Sequence, residues 1–587
     1  MRFTVFLFAV AFTAALPAAA RAAVSTTYDP ASRTLRVESD GADEIVVGCA
    51  GGQTTVNGLP AAAGPLSCAD VVRLVVRGGP GANRIDLSSA MLGTTGSRGI
   101  TSSASVSAGG GDDDVIGPRG SVVTRLAGGA GSDRLEGRAF DTYVFGTASA
   151  PEVDTIVEPG SAKCEPSFVD TDVPNRSWWT VPWDALDFSA LGPTDVLRVQ
   201  LAAPGGIVAD HRARTVRLES TGLQPLDAVA GGAGDDTIAG ACLTDGRAGD
   251  DRLTGSPSGD GLLGGLGDDA LAGGDGRDVL DGGAGSDVLN GDAGADELVG
   301  GSGDDELAGG SGHDVYLFGS FDGRQTDRVA EQAAAGVDVL SLQYDDPVRV
   351  DLGTPHAVVA TARDARILTP PGESRHFEGI IGGAGDDILL GHGGGNHFWG
   401  GGGSDRAVGL GGNDVYHVDW SGSLPAAAYS SSEFWSGPIQ RGASWGRSVF
   451  DAATRPRSRL KIVEGRNGGR DTLDVAEGWL ASEGFWQRLE GQITSGARVD
   501  LSGGGPLVSA GKVAAVAGTR GTAANLENVR GTTGDDRIVG NAAANVIEGR
   551  QGRDRISGGA GRDTCLVHRS EDVLRGCERI RARNPDR

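Results

Sequence analysis

GGLGDDALA-GGDGRDVLD-GGAGSDVLN, residues 264–290, decides how the chain is read. These nonamers are the middle of an in-frame run from Gly246 to Phe318. Its units start at Gly246, Gly255, Gly264, Gly273, Gly282, Gly291, Gly300 and Gly309. Their common form is Gly-Gly-x-Gly-x-Asp-x-apolar-x. The sixth place is Asp in every unit: Asp251, Asp260, Asp269, Asp278, Asp287, Asp296, Asp305 and Asp314. The eighth is apolar: Leu253, Leu262, Leu271, Leu280, Leu289, Leu298, Leu307 and Tyr316. A short fixed period of this kind is the signature of a solenoid.

The residue types explain the period. Gly-Gly-x-Gly turns sharply at little steric cost. The x-apolar-x that follows suits a three-residue strand, with the apolar side chain inward and its neighbours outward. Two units then close one flattened coil, and coils stack at about 4.8 Å. Stacking places Asp269 and Asp287 in a column on one edge, and Asp260, Asp278 and Asp296 on the other. Carboxylates so close repel, by several kcal/mol where water is scarce. Asp carboxylates and Gly carbonyls offer only hard oxygen, the ligand set of calcium rather than of zinc or of strictly octahedral magnesium.

The unit GGxGxDxUx resembles the RTX (hemolysin-type) calcium-binding repeat. That resemblance implies an all-β fold, a parallel β-roll (β-solenoid), with calcium between the turns of successive coils. The repeat recurs outside the main run. Asp113 lies in AGGGDDDVI, Asp133 in GGAGSDRLE and Asp236 in GGAGDDTIA. Later units carry Asp387, Asp405 and Asp414, and then Asp536. Together with the eight of the main run, these are the candidate metal ligands. Asn83, Asn396 and Asn545 stand where Asp is expected, and Arg553 and Arg562 sit beside Asp554 and Asp563. An Arg there is expected to neutralise its site in part, so calcium is expected to be weaker or absent in the 531–566 block.

Between blocks the pattern changes to longer strands in a recurring order. Asp314-Val-Tyr-Leu-Phe318 leads through Asp327-Arg-Val-Ala-Glu331 and Val348-Arg-Val-Asp-Leu352 to Phe377-Glu-Gly-Ile380. Asp414-Val-Tyr416 leads through Asp471-Thr-Leu-Asp-Val475 and Ala497-Arg-Val-Asp-Leu501 to Leu526-Glu-Asn-Val529. This order resembles the C-terminal β-roll of serralysin-like secreted proteases. The organisation expected is a signal peptide (1–22), a β-rich N-terminal cap (23–107) and a first repeat block (108–160). A Trp-containing insert (161–230), the main roll (231–318) and inter-block strands (319–381) follow. A third block (382–418), an insert with strands (419–525) and a last block with a disulfide-closed end (526–587) complete it.

Composition supports this reading. The 587 residues include 99 Gly and carry a formal net charge of −26. So acidic a chain is unsuited to nucleic acid or an anionic membrane. Arg2, the apolar run Phe3–Ala15 and Ala20-Arg21-Ala22 read as a cleavable secretory signal, so a secreted, extracellular protein is expected. Six cysteines in an oxidising compartment suit disulfides. Cys49 and Cys68 close one short loop and Cys565 and Cys577 another; Cys164 and Cys242 remain to pair.

No catalytic residue is assigned. The serralysin zinc motif His-Glu-x-x-His is absent, and none of the eight histidines is followed by Glu. His392 and His397 read as surface decoration. Gly442-Ala-Ser444-Trp-Gly446 lacks the strand and helix of a nucleophile elbow. Trp178, Trp179, Trp183, Trp420, Trp435, Trp445, Trp479 and Trp486 cluster in the inserts, where they either cover the roll or stack on a polysaccharide. The expected function is calcium binding coupled to folding, with a structural or adhesive role. The alternative is a hydrolase or lyase with its site in the 161–230 or 419–525 insert.

Overall fold

The computed structural model describes residues 24–61, 65–92, 102–119, 122–137, 140–148, 151–158, 185–200, 207–211, 214–220, 228–319, 325–331, 336–353, 358–362, 365–417, 459–463, 471–474, 497–502, 507–510, 513–517, 526–532, 534–567 and 572–582. The signal segment, Cys164, the Trp clusters of both inserts and Gly442–Gly446 lie outside them. The chain divides into two compact units, Met1–Val144 with Pro151–Val157, and Phe145–Ala150 with Glu158–Arg587. The protein is all-β; the described residues hold no α-helix, only short 3-10 turns such as Cys68–Asp70 and Ser374–His376.

In the larger unit the nonamers form the expected parallel β-roll. Strand Ala270–Gly276 pairs in parallel with Val288–Gly294, setting Leu271 opposite Leu289. Gly261–Leu266 pairs with Val279–Ala284, setting Leu262 opposite Leu280. Each unit thus pairs with the unit two further on, and alternate units build two different sheets. Between the sheets the eighth-place residues Leu253, Leu262, Leu271, Leu280, Leu289, Leu298, Leu307 and Tyr316 are all buried. The strands run longer than the three residues expected. Turn backbone also bonds between coils: the Gly267 N–H donates to Ala284 O at 2.9 Å and the Gly285 N–H to Ser302 O at 2.9 Å. The main-chain ladder therefore continues into the turn.

Tyr316 takes the leucine place where the nonapeptide frame ends. Earlier first-glycine N–H groups reach the last carbonyl of the next unit, as Gly255 does with Ala272 at 2.9 Å. For Gly309 the Tyr316 hydroxyl accepts that bond at 2.6 Å and donates in turn to Glu331.

Beyond each block the second sheet takes in an antiparallel excursion. Arg349–Asp351, Val358–Thr361 and Ala365–Leu368 form a meander. Its outer strands rejoin the parallel ladder at Ile388–Leu390 and Gln325–Ala330. Arg498–Asp500, Val508–Ala510 and Val513–Ala517 repeat the device, as do Arg198–Gln200, Ile207–His211 and Arg214–Ser220. The leading strands at Val348–Leu352 and Ala497–Leu501 were readable from their apolar alternation; the strands that follow them and the antiparallel connection were not.

The smaller unit is also more regular than a β-rich cap. Thr34–Ser39, Arg73–Arg77, Ser102–Gly110, Val122–Ala130 and Phe140–Val144 stack in parallel. Glu44–Ala50, Arg84–Ser89, Asp114–Ile116, Arg134–Glu136 and Glu152–Glu158 form the second ladder. The first coil is already part of a roll. Val24–Asp29 lies antiparallel on Thr34–Ser39 and so covers a strand edge that would otherwise invite association. Disulfides Cys49–Cys68 and Cys565–Cys577 form as expected. Cys242 is also disulfide-bonded.

Truncating a ladder leucine should open a cavity. Leu280→Ala is expected to lower unfolding stability by about 2–5 kcal/mol in saturating calcium, read by chemical denaturation. Val288→Ala, at a half-exposed outward place, should change it by less than about 0.5 kcal/mol. Equal effects would contradict an inward leucine ladder.

Candidate metal centre

The sixth-place carboxylates form the two expected columns, and a hydrogen bond joins each to its neighbour. The N–H of Asp251 donates to Asp269 Oδ1 at 2.7 Å, Asp269 to Asp287 at 2.8 Å and Asp287 to Asp305 at 3.0 Å. Asp236 begins this column. On the other edge Asp260 leads to Asp278, Asp296 and Asp314 at 2.8–2.9 Å. Asp113 and Asp133 are joined in the smaller unit. Asp387 joins Asp405, Asn396 joins Asp414, and Asp536 joins Asp554.

One oxygen is thereby spoken for; the other separates two kinds of turn. In Asp251, Asp269, Asp278, Asp287, Asp296, Asp305 and Asp314 the Oδ2 is buried without a hydrogen-bond partner. The same holds for Asp113, Asp554 and Asp563. The turns of the first group share a backbone state: the second place has positive φ, 114° at Gly265 and 104° at Gly283. Non-glycine residues take that state as well, Arg247 at 79° and Asp292 at 69°. In the first turn of each column the second-place residue has no positive φ, and its N–H reaches back to cap the carboxylate. Gly232 caps Asp236 at 2.8 Å, Ser256 caps Asp260 at 2.6 Å, Gly383 caps Asp387 at 2.7 Å and Thr532 caps Asp536 at 2.6 Å. His392 and Asn541 do the same for Asn396 and Asn545. A first turn has no nonapeptide turn before it to stack on, so its backbone is free to fold inward.

The uncapped turns fit a hard cation. A side chain built on Gly264 would collide with Asp269 Oδ2 and with the Gly282 carbonyl, and one built on Gly282 with Asp287 Oδ2 and the Gly300 carbonyl. A carboxylate oxygen and a carbonyl oxygen of the next coil thus converge where only glycine leaves room. Such an oxygen buried without a donor is costly, and a divalent cation removes the cost. Burial pushes the acids up, to about 8 for Asp251, Asp287 and Asp296, where column neighbours add repulsion, and to about 7 for Asp278, where Asp292 and Asp275 do.

At Asn83 and Asn545, though not at Asn396, whose Nδ2 is buried without a partner, the amide answers the same need with protons. Asn83 Nδ2 donates to Gly79 O at 3.2 Å, to Ala108 O at 2.9 Å and to Gly81 O. Asn545 Nδ2 donates to Glu527 O at 3.0 Å and Asn541 Oδ1 at 3.1 Å. An amide stands in for the ion there.

Several column members fall outside the nonapeptide and were missed. Asp154 extends the smaller unit's column, Asp327 and Asp338 extend the two main columns, and Asp572 follows Asp554. Their signal is an Asp two residues before a ladder apolar residue, as in Asp327-Arg-Val329, which survives when the glycines are gone. The expectation that Arg553 neutralises Asp554 is corrected. Arg553 is exposed and faces Asp535 at 3.9 Å, because adjacent residues point to opposite sides. His392 and His397 are not surface decoration either. His392 is buried, accepts the Gly394 N–H at 2.8 Å and meets Phe377 O at 3.2 Å. His397 meets His417 at 3.1 Å on a covered sheet face, and burial pushes it down to about 4.

Residues 227–241, 245–280, 263–298, 281–316, 290–323, 381–416 and 530–565 match the family described as RTX calcium-binding nonapeptide repeat (4 copies). No curated protein sequence matches the chain. The matched segments hold both turn types, so the family pattern itself does not separate capped from uncapped carboxylates.

The carboxyl shifts set a pH dependence. Their folded pKa values of about 6 to 8 lie above an unfolded value near 3.9. The stability they contribute without metal is therefore complete below about pH 4 and lost as pH rises through about 6–8. In chelator, β structure by circular dichroism should grow on acidification from pH 8 to pH 5. Calcium competes with these protons, so its affinity should fall on acidification over the same interval. A pH-independent affinity would contradict the buried carboxylates as its ligands.

Proposed function

We propose that this RTX repeat protein is an exported calcium-binding β-roll whose folding is completed by calcium, with a structural or adhesive role at the cell surface or in the matrix. One observation carries the reading: each uncapped turn of the main block holds a buried carboxylate oxygen without a hydrogen-bond partner, from Asp251 to Asp314. Asp251, Asp269, Asp278, Asp287, Asp296, Asp305 and Asp314 would hold the ions in the main block, with carbonyl oxygens of the glycine turns. Asp113 and Asp133 would do so in the smaller unit, and Asp405 and Asp414 in the third block. Asp554 and Asp563 join them on the same geometric ground. Asp236, Asp260, Asp387 and Asp536 would shape the first turns without needing an ion, since each is already capped.

The energetics make calcium a folding ligand. A site at a free calcium concentration 100 times its Kd adds about 2.7 kcal/mol to the folded state. A handful of such sites matches the whole stability of an ordinary domain, about 5–15 kcal/mol. Millimolar extracellular calcium suits even weak sites. The leader-like residues 1–22 support export. No helix among the described residues is long and apolar enough to cross a membrane. No catalytic step is assigned, and polysaccharide is the partner class suggested by the insert tryptophans.

Calcium titration of the mature chain should drive a cooperative gain of β structure by circular dichroism. Asp287→Asn should remove or weaken at least tenfold one site counted by isothermal titration, while Asp260→Asn should leave the count unchanged. Full β structure in excess chelator at pH 8, with no ion retained on equilibrium dialysis, would end this reading. A polysaccharide panel should shift Trp fluorescence in the calcium-loaded protein; no shift would remove the glycan assignment alone.

A further inference from the structure

We infer that Asp314, Glu331 and Asp338 form a divalent-cation site, suited to calcium, that closes the main block by adding two residues outside the nonapeptide pattern to its last sixth-place Asp. The inference rests on the calcium reading above but is distinct from it: the column turns offer one carboxylate per coil, whereas this place brings three together.

The geometry is that of a built site. One carboxylate oxygen from each residue lies within 4.8 Å of the other two. The three side chains belong to residues 0%, 2% and 3% exposed. Each carboxylate is anchored by a donor. Asp314 accepts the Asp296 N–H at 2.9 Å, Asp338 accepts the Asp314 N–H at 3.0 Å, and Glu331 accepts the Tyr316 hydroxyl. Asp314 Oδ2 is buried and has no hydrogen-bond partner. Three such charges cannot all persist in a dry interior. Asp314 and Asp338 make no ion pair with Lys or Arg among the described residues. A cation bound by three carboxylates, each oriented by its own donor, resolves the conflict.

The local chain is arranged to make the cluster. Glu331 stands four residues after Asp327, at the end of strand Gln325–Ala330. It is held there by its N–H to Glu373 at 3.2 Å and by its carbonyl to His376 Nδ1 at 2.8 Å. Asp338 is fixed by its N–H to Glu378 at 3.1 Å. Tyr316 is thus more than an end-cap for Gly309: its hydroxyl orients Glu331, and its ring lies beside the proposed ion.

The test counts ions in the full mature chain with calcium alone, then repeats the count with terbium, whose emission is excited through nearby tyrosine. Glu331→Gln keeps the acceptor for Tyr316 and should cost one calcium equivalent, or a tenfold loss at one site, with the other sites unchanged. Glu306→Gln, exposed on the second sheet, should cost none. Tyr316→Phe keeps all three carboxylates and should lose a share of sensitised terbium emission. An unaltered count in Glu331→Gln overturns this site and leaves the column reading standing. No ion bound by the wild-type chain overturns both. If Glu331→Gln does not fold, undiminished emission from Tyr316→Phe overturns the site.

Discussion

A buried carboxylate oxygen without a donor is the constraint on which the roll depends. Asp269, Asp278, Asp287 and their column neighbours each spend one oxygen on the N–H of the preceding coil. The other is left facing the glycine turn. The glycines, the eighteen-residue pairing step and the longer strands follow from accommodating that oxygen. A side chain at the first glycine would occupy its space. A change of spacing would break the N–H to carboxylate relay. The stacked turn therefore answers as much to electrostatics as to packing.

Packing and charge divide the stabilisation. The inward ladder of Leu271, Leu289 and Leu307, facing Leu262, Leu280 and Leu298, contributes about 1.5–3 kcal/mol per side chain. Its strands are short, however, and glycine-rich turns lose much conformational freedom on ordering. A narrow two-layer core of this kind has little surplus. The columns oppose folding while they are empty and anionic, and support it once neutralised. Under the proposed function, protons and calcium would act on the same oxygens, as alternative routes to one folded state.

The all-β roll, the alternation of sheets, the two columns and the inward leucines were legible from Gly246–Phe318. Period and residue type together left one arrangement that buries every leucine. The antiparallel meanders were not legible. Val348-Arg-Val-Asp-Leu352 reads as a strand whichever neighbour it pairs with, and pairing direction leaves no mark on apolar alternation. Nor did the motif distinguish Asp260 from Asp278. Both occupy the sixth place, yet Ser256 caps the first and nothing caps the second. That difference depends on whether another turn lies before it, which is a property of the stack. Glu331 reads from the sequence only as part of a strand, and its convergence with Asp338 on Asp314 needed the third dimension.

The backbone at the second place shows which force sets the turn. If glycine's freedom alone chose positive φ, other residues there would revert to the ordinary region. Arg247, Asp292, Leu410 and Arg550 do not; they hold φ between 65° and 79°, a state that costs a side-chain-bearing residue on the order of 1–3 kcal/mol. Gly232 and Gly383 are glycines and yet stay out of it, because in a first turn the N–H is better used on the carboxylate. Position in the stack, more than residue identity, therefore selects the conformation. An interior turn stacks its second-place backbone on the coil before it, as the crowding of Gly265 against the Arg247 carbonyl shows. That leaves the carboxylate to an outside partner. Stacking and charge are then one event: each added interior coil buries another carboxylate oxygen that the protein itself does not satisfy.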